Sequence, residues 1–156
     1  MSAKAKSYDN AMTREELCRL AIQGLSKSYA PYSGYYVSAA LEDSEGNITT
    51  GCNIENASYT PTVCAERTAF FSAVAHRKGD TLPHFVRMAV VGGNHGEVTG
   101  AFPPCGVCRQ VMSEFCDDSF EILVVQSVEP LTYDTFTLPA LLPLRFGPSH
   151  LSKKGQ

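Results

Sequence analysis

The stretch Cys64 to Phe71, "CAERTAFF", decides how this chain is read. It opens a helix expected from about residue 64 to 78, with Ala69, Phe70, Ala73 and Val74 as the packing stripe and Gly79 as the stop. Within it a cysteine and a glutamate stand two residues apart. On a helix such positions point roughly 200° apart and share no face. One site uses both only if it lies beyond the helix end, with Cys64 at the N-terminus and Glu66 reaching past it.

A second stretch, "PPCGVCRQVMSEF", places Cys105 and Cys108 on one side of the first turn of another helix, expected over 105–115. Alone, a C-x-x-C reads as a redox pair, a zinc half-site or a packing coincidence. Cys64 brings the count to three thiols, which converge if the two helix starts lie side by side at one edge of a sheet. Ligands this soft favour Zn²⁺ over hard cations. Three protein ligands leave a fourth tetrahedral position open, the pattern of catalytic rather than structural zinc. Glu66 beside that position is suited to moving a proton between water and a substrate nitrogen. Three thiolates over-neutralise the metal, and two helix N-termini together with Arg67 supply the offsetting positive charge. The competing reading is a closed structural site, with Cys52 or Cys116 as a fourth thiolate. Cys18 and Cys116 otherwise read as small buried hydrophobes.

Outward from these motifs, "TREELCRLAIQGLSKSY" starts with Thr13 and Glu16 in capping-box spacing, and Leu17, Leu20, Ala21 and Leu25 follow a helical period. The segment "YYVSAALEDSEGNITTGCNIEN" reads as a hairpin turning at Glu45-Gly46-Asn47. "FVRMAVVGG" and "EILVVQS" are near-continuous apolar runs, as buried strands require. The order is helix, hairpin, helix, strand, helix, strand, then a Pro-rich tail. This predicts an α/β fold of three layers, α/β/α, with one mixed central sheet and helices on both faces. Residues 13–150 are expected to form one domain, with 1–12 a disordered lead-in and 151–156 a short tail.

At 156 residues, 44% hydrophobic and 19% charged, the composition is globular. A net charge of -3 offers no basic surface for a nucleic-acid backbone. No apolar run approaches the roughly 20 residues that span a bilayer, so neither nucleic acid nor membrane is an expected partner. The opening "MSAKAKSYDN" lacks the apolar core of a signal peptide. With six cysteines and no such signal, a reducing, cytoplasmic location is expected, where clustered thiols serve metal or catalysis.

"CAERTA" and "PCGVCRQVMSEF" resemble the two zinc signatures of the small tetrameric cytidine deaminases, and "APYSGYYVSAAL", "GCNIENASY" and "LLPLRFGP" resemble further segments in the same order. The resemblance implies one Zn²⁺ per chain on Cys64, Cys105 and Cys108, with Glu66 as the catalytic proton shuttle. It implies hydrolytic deamination of cytidine and 2′-deoxycytidine with release of ammonia, the chemistry of zinc deaminases as a class. Asn53 and Glu55 would bind the ribose hydroxyls, on one face of a strand that turns Ile54 into the core. Ala65 would offer backbone groups to the base, and Tyr35 would stack near base or sugar. Arg67 would neutralise ligand charge, and Gln110 would support the ligands from behind. Tyr59 and Phe146 would reach a neighbouring subunit's site, which implies a homotetramer with shared active sites. Ser38, at a position where the family has glycine, is expected only to adjust strand packing. The rival readings are a blasticidin-type nucleoside-antibiotic deaminase, a polynucleotide deaminase and a non-enzymatic zinc protein. "NIENASY" opposes the first, and acidic charge and short length oppose the second.

Overall fold

The computed structural model of the chain describes residues 12–151. The expected lead-in up to residue 11 and the tail from 152 lie outside the described residues. Met12, assigned above to the lead-in, instead packs against the layer formed by the first helix, and its carbonyl accepts from Arg87.

Helix α1 (Arg14–Gly24) begins at the capping box. Thr13 Oγ1 accepts the Glu16 amide at 3.1 Å, and the Glu16 carboxylate accepts the Thr13 amide at 2.7 Å. Two orphan helix donors are thereby satisfied reciprocally. Strands β1 (Tyr35–Asp43) and β2 (Ile48–Cys52) form the hairpin, closed by Gly46 at φ +80°. Helix α2 (Ala65–Ala75) leads to β3 (Phe85–Asn94), and α3 (Gly106–Phe115) leads to β4 (Glu121–Val128). Helix α2 ends at Ala75, three residues earlier than expected, and the ring nitrogen of its C-cap residue His76 lies 2.9 Å from the Ser72 carbonyl.

The Pro-rich "tail" is a fifth strand, β5 (Leu131–Thr137), followed by the one-turn helix α4 (Leu138–Leu141). Pro130 and Pro139 bracket the strand and mask its short β-branched run. It occupies the sheet edge, where flanking prolines are tolerated. The sheet order is β2-β1-β3-β4-β5, with β3 and β4 parallel and the other neighbours antiparallel. This is the expected mixed sheet.

Alternation along the strands builds two cores. Ala39, Leu41, Met88, Val90, Ile122 and Val124 face α2 and α3, together with Ala69, Phe70 and Met112. Ala40, Ala89, Val91, Leu123 and Val125 face α1, with Leu17, Cys18 and Ala21. Helices therefore cover both faces, α2 and α3 sharing one. At Gly51 on β2 a Cβ atom would come within 2.4 Å of the Ala65 carbonyl and the Ala69 amide. The missing side chain lets α2 lie directly on the strand, and that contact sets the height of Cys64 and Glu66 above the sheet.

Candidate active site

Cys64 and Cys105 are the N-cap residues of α2 and α3, both in extended backbone conformation. Neither caps its own helix through its side chain, so both sulfurs are free to turn outward. Cys108 sits buried in the first turn of α3. Cys64 Sγ is 3.8 Å from Cys105 Sγ, and Cys105 Sγ is 3.6 Å from Cys108 Sγ. All three sulfurs lie within 4.8 Å of one another. Tetrahedral ligands 2.3 Å from zinc stand about 3.8 Å apart, so the cluster has the span of a zinc thiolate site. Cys52 Sγ instead bonds the Lys27 carbonyl at 3.2 Å, and Cys116 is buried in the apolar core. The four-thiolate structural site weighed above therefore does not form among the described residues; three ligands and an open position fit the geometry.

The surrounding charges divide the work. The hydrogen bond with Cys108, followed by contacts to Arg67 and Cys105, brings the Cys64 thiol down to about 5 against the opposing effect of burial. The proton stays on Cys108, which is held well above the usual thiol range by that same bond and by burial. Arg67 donates to Cys64 Sγ at 3.8 Å and to the Thr62 carbonyl at 3.1 Å, which places its positive charge beside the sulfur. Glu66 is 4% exposed. Burial, reinforced by the neighbouring Cys64 charge, pushes its carboxyl up to about 7. A carboxyl balanced near neutrality both takes and gives a proton readily.

Asn53 and Glu55 sit across from β1, outside any regular strand. Ile54 between them makes only single bridges to Tyr29 and Val63 and is 45% exposed. The expectation that it turns into the core is wrong, because the chain has left the sheet after Cys52 and alternation no longer applies. Asn53 spans β1, accepting the Val37 amide at 2.9 Å and donating to the Tyr35 carbonyl at 2.8 Å. Glu55 accepts the Tyr32 and Ser33 amides at 2.9 and 3.2 Å and the Ser33 hydroxyl. These bonds hold its carboxyl below its usual range, the Ser33 hydroxyl contributing most. With Tyr32, Ser33, Tyr59 and Thr62, Glu55 lines an open cavity of about 290 Å³. Thr62 also carries the carbonyl that Arg67 grips, which ties this cavity to the sulfur cluster.

Ala65 is fully buried at the start of α2. Tyr35 is half exposed and packs its ring 5.9 Å from Phe102. Phe102 escaped the sequence reading; its signal was an aromatic just ahead of "PPC". Gly92 leaves room for its ring, since a Cβ there would lie 2.7 Å from it. Gln110 Nε2 donates to the Phe146 carbonyl at 2.9 Å and to the Ser113 hydroxyl at 3.2 Å, so its amide nitrogen ties the C-terminal segment to α3. The rings of Tyr59 and Phe146 are 75% and 56% exposed.

The sequence model described as the cytidine and deoxycytidylate deaminase zinc-binding region matches residues 11–124. The chain belongs to that family. It is 40% identical to the cytidine deaminase of Sporosarcina psychrophila over 141 residues, covering 90% of this chain and 96% of the relative. With the cytidine deaminase of Halalkalibacterium halodurans it shares 47% identity over 105 residues, 67% of this chain and 74% of the relative. The crystal structure of cytidine deaminase from Burkholderia pseudomallei superposes with a TM-score of 0.75 at 40% identity, covering 86% of this chain and all of that one. The mixed sheet with helices on both faces is thus the fold of a zinc-binding deaminase family, and Cys64, Cys105 and Cys108 form a cluster able to hold one metal ion.

Proposed function

We infer that this chain is a zinc-dependent hydrolase that converts cytidine and 2′-deoxycytidine to the corresponding uridine nucleosides and ammonia. The observation that carries this reading is three thiols gathered at two helix N-termini, with the buried Glu66 carboxyl in reach of the Cys108 thiol. Cys64, Cys105 and Cys108 would hold a zinc ion, which would supply Lewis-acid chemistry, in a favourable site lowering the pKa of water from 15.7 to about 7.

The rest of the work falls to the chain. Glu66 takes a proton from the attacking water, delivers it to N3 of the cytosine ring, and passes the second proton to the departing amine at C4. In the metal-free chain burial already lifts this carboxyl toward neutrality, which suits it to both transfers. Arg67 and the two helix N-termini hold the negative charge of the sulfurs. Ala65 would present its backbone to the base, its small methyl side chain leaving room for a close approach. Glu55 is fixed as a carboxylate by three donors from Tyr32 and Ser33 and keeps lone pairs for ribose hydroxyls. Asn53 contributes from the same loop, and Tyr35 with Phe102 supplies an aromatic wall.

Tyr59 and Phe146 are largely exposed, each resting one side of its ring on Tyr32 or His150 of its own chain, which supports a homotetramer whose sites are completed by neighbouring subunits. No described helix is long and apolar enough to cross a membrane, and the six free cysteines suit a reducing cytoplasm. The decisive comparison is turnover of cytidine against blasticidin S. Ammonia release from cytidine alone supports the reading; preference for the antibiotic would replace it with the alternative.

A further inference from the structure

One cation outside the residues assigned so far grips the loop that delivers a metal ligand. Arg109, in the first turn of α3, donates through Nε to the Pro104 carbonyl at 2.7 Å and through Nη1 to the Leu141 carbonyl at 2.7 Å. Its backbone amide bonds the Cys105 carbonyl at 3.0 Å. A single residue therefore holds the carbonyls on both sides of the Cys105 Cα. The peptide plane between Pro104 and Cys105 is fixed from two directions. The proline ring sets φ at 104, and the rigid guanidinium fork sets where the carbonyl points. That plane governs the direction of the Cys105 side chain. The Leu141 carbonyl belongs to the last turn of α4, where carbonyls have no intrahelical partner. Arg109 thus anchors the ligand loop to the far edge of the layer.

Resting on the zinc-deaminase reading, we propose that Arg109 is a positioning residue for the metal, aiming Cys105 at the other two sulfurs by clamping Pro104 and Leu141. Cys105 has most need of such a device, because it is an N-cap residue with its side chain exposed and no core packing to hold it. Cys108 is fixed by burial within the helix, and Cys64 by Arg67. Lysine at 109 keeps the charge but has a single flexible ammonium, so it holds one carbonyl at a time. Glutamine removes the charge and the fork together.

The test uses the zinc-loaded full chain and follows release of zinc to a chromogenic chelator for wild type, R109K and R109Q. It is run at a temperature where circular dichroism is native and the buried Cys18 stays closed to alkylation. Hydrogen-bonded partners of metal ligands are commonly worth about 10- to 100-fold in affinity. R109Q should release zinc at least about 10-fold faster, with R109K between it and wild type. The sulfur-to-metal absorption bands of the cobalt-substituted protein should shift in the same order. If R109Q does not fold, R109K alone carries the test, since it must still release faster than wild type. Release rates and cobalt spectra equal to wild type overturn the proposal. A wild type that binds zinc and deaminates cytidine while the variants behave alike sinks only this inference; a wild type without zinc sinks the functional reading itself.

Discussion

Cys64 and Cys105 hold matching positions, each the N-cap residue of its helix, and their sulfurs stand 3.8 Å apart although 41 residues separate them. The match explains how Glu66 joins the same site. A metal off the helix ends would be held by the N-cap sulfurs, with the Glu66 carboxyl two residues on in the first turn. Both helices also turn their positive ends toward the thiolates.

Glu66→Gln keeps the shape and volume of the side chain but removes its capacity to carry a proton. Zinc content should remain at wild-type level and kcat should fall by roughly 10²- to 10⁴-fold, the range for loss of general acid–base catalysis. Metal analysis and single-turnover kinetics on the same preparation check this. Retention of more than about a tenth of the wild-type rate would remove Glu66 from the role given to it.

Stripping the metal should expose a graded thiol chemistry. In the metal-free chain the Cys64 thiolate is favoured down to about pH 5, while burial, with Glu15 nearby, pushes Cys18 up to about 11. Because the thiolate is the reactive form, alkylation of Cys64 should be fast at neutral pH and slow as pH falls through about 5. Cys18 should resist until strongly alkaline pH, and zinc should protect the three ligand cysteines at every pH where it stays bound. Since protons compete with zinc for the same sulfurs, metal retention should itself weaken as pH falls. Mass spectrometry of labelled peptides reads these outcomes; equal labelling of Cys18 and Cys64 at neutral pH contradicts them.

Gly51→Ala places a methyl group against backbone atoms of α2 rather than a movable side chain. The helix has to lift, at a cost of about 1–3 kcal/mol or more for overpacking. Because α2 carries Cys64 and Glu66, the melting temperature and the zinc content should fall together. An alanine variant with wild-type melting and metal content would show that β2 and α2 are not held as described.

Much of the molecule is legible in the residues. The Thr13–Glu16 cap, the Asn47 hairpin, the two buried strands and the cysteine helix starts follow from local rules, and the structure places each within a few residues of expectation. The losses have physical reasons. Strand β5 is short, exposed along much of its length and framed by prolines, so its stability comes from pairing with β4 and leaves little local trace. Ile54 departs from strand alternation because the regular strand ends at Cys52, and beyond it isolated bridges hold the backbone. Ser38 adjusts the packing under α1, where its hydroxyl is buried without a partner among the described residues and Gly24 leaves it room, since a Cβ there would lie 2.1 Å away. The attachment of Gln110 to Phe146 and of Arg109 to Leu141 depends on where the C-terminal segment crosses α3, and no local pattern encodes that crossing.

The central claim is that three sulfurs at two helix N-termini make a catalytic, open zinc centre for a cytosine nucleoside. The most direct test measures zinc per chain and ammonia released from cytidine on one preparation, for wild type and for Cys64→Ser, Cys105→Ser and Cys108→Ser. The account predicts one zinc per wild-type chain with steady ammonia release, and joint loss of metal and turnover in each variant. Full zinc without ammonia release, or turnover that survives loss of the metal, would contradict it.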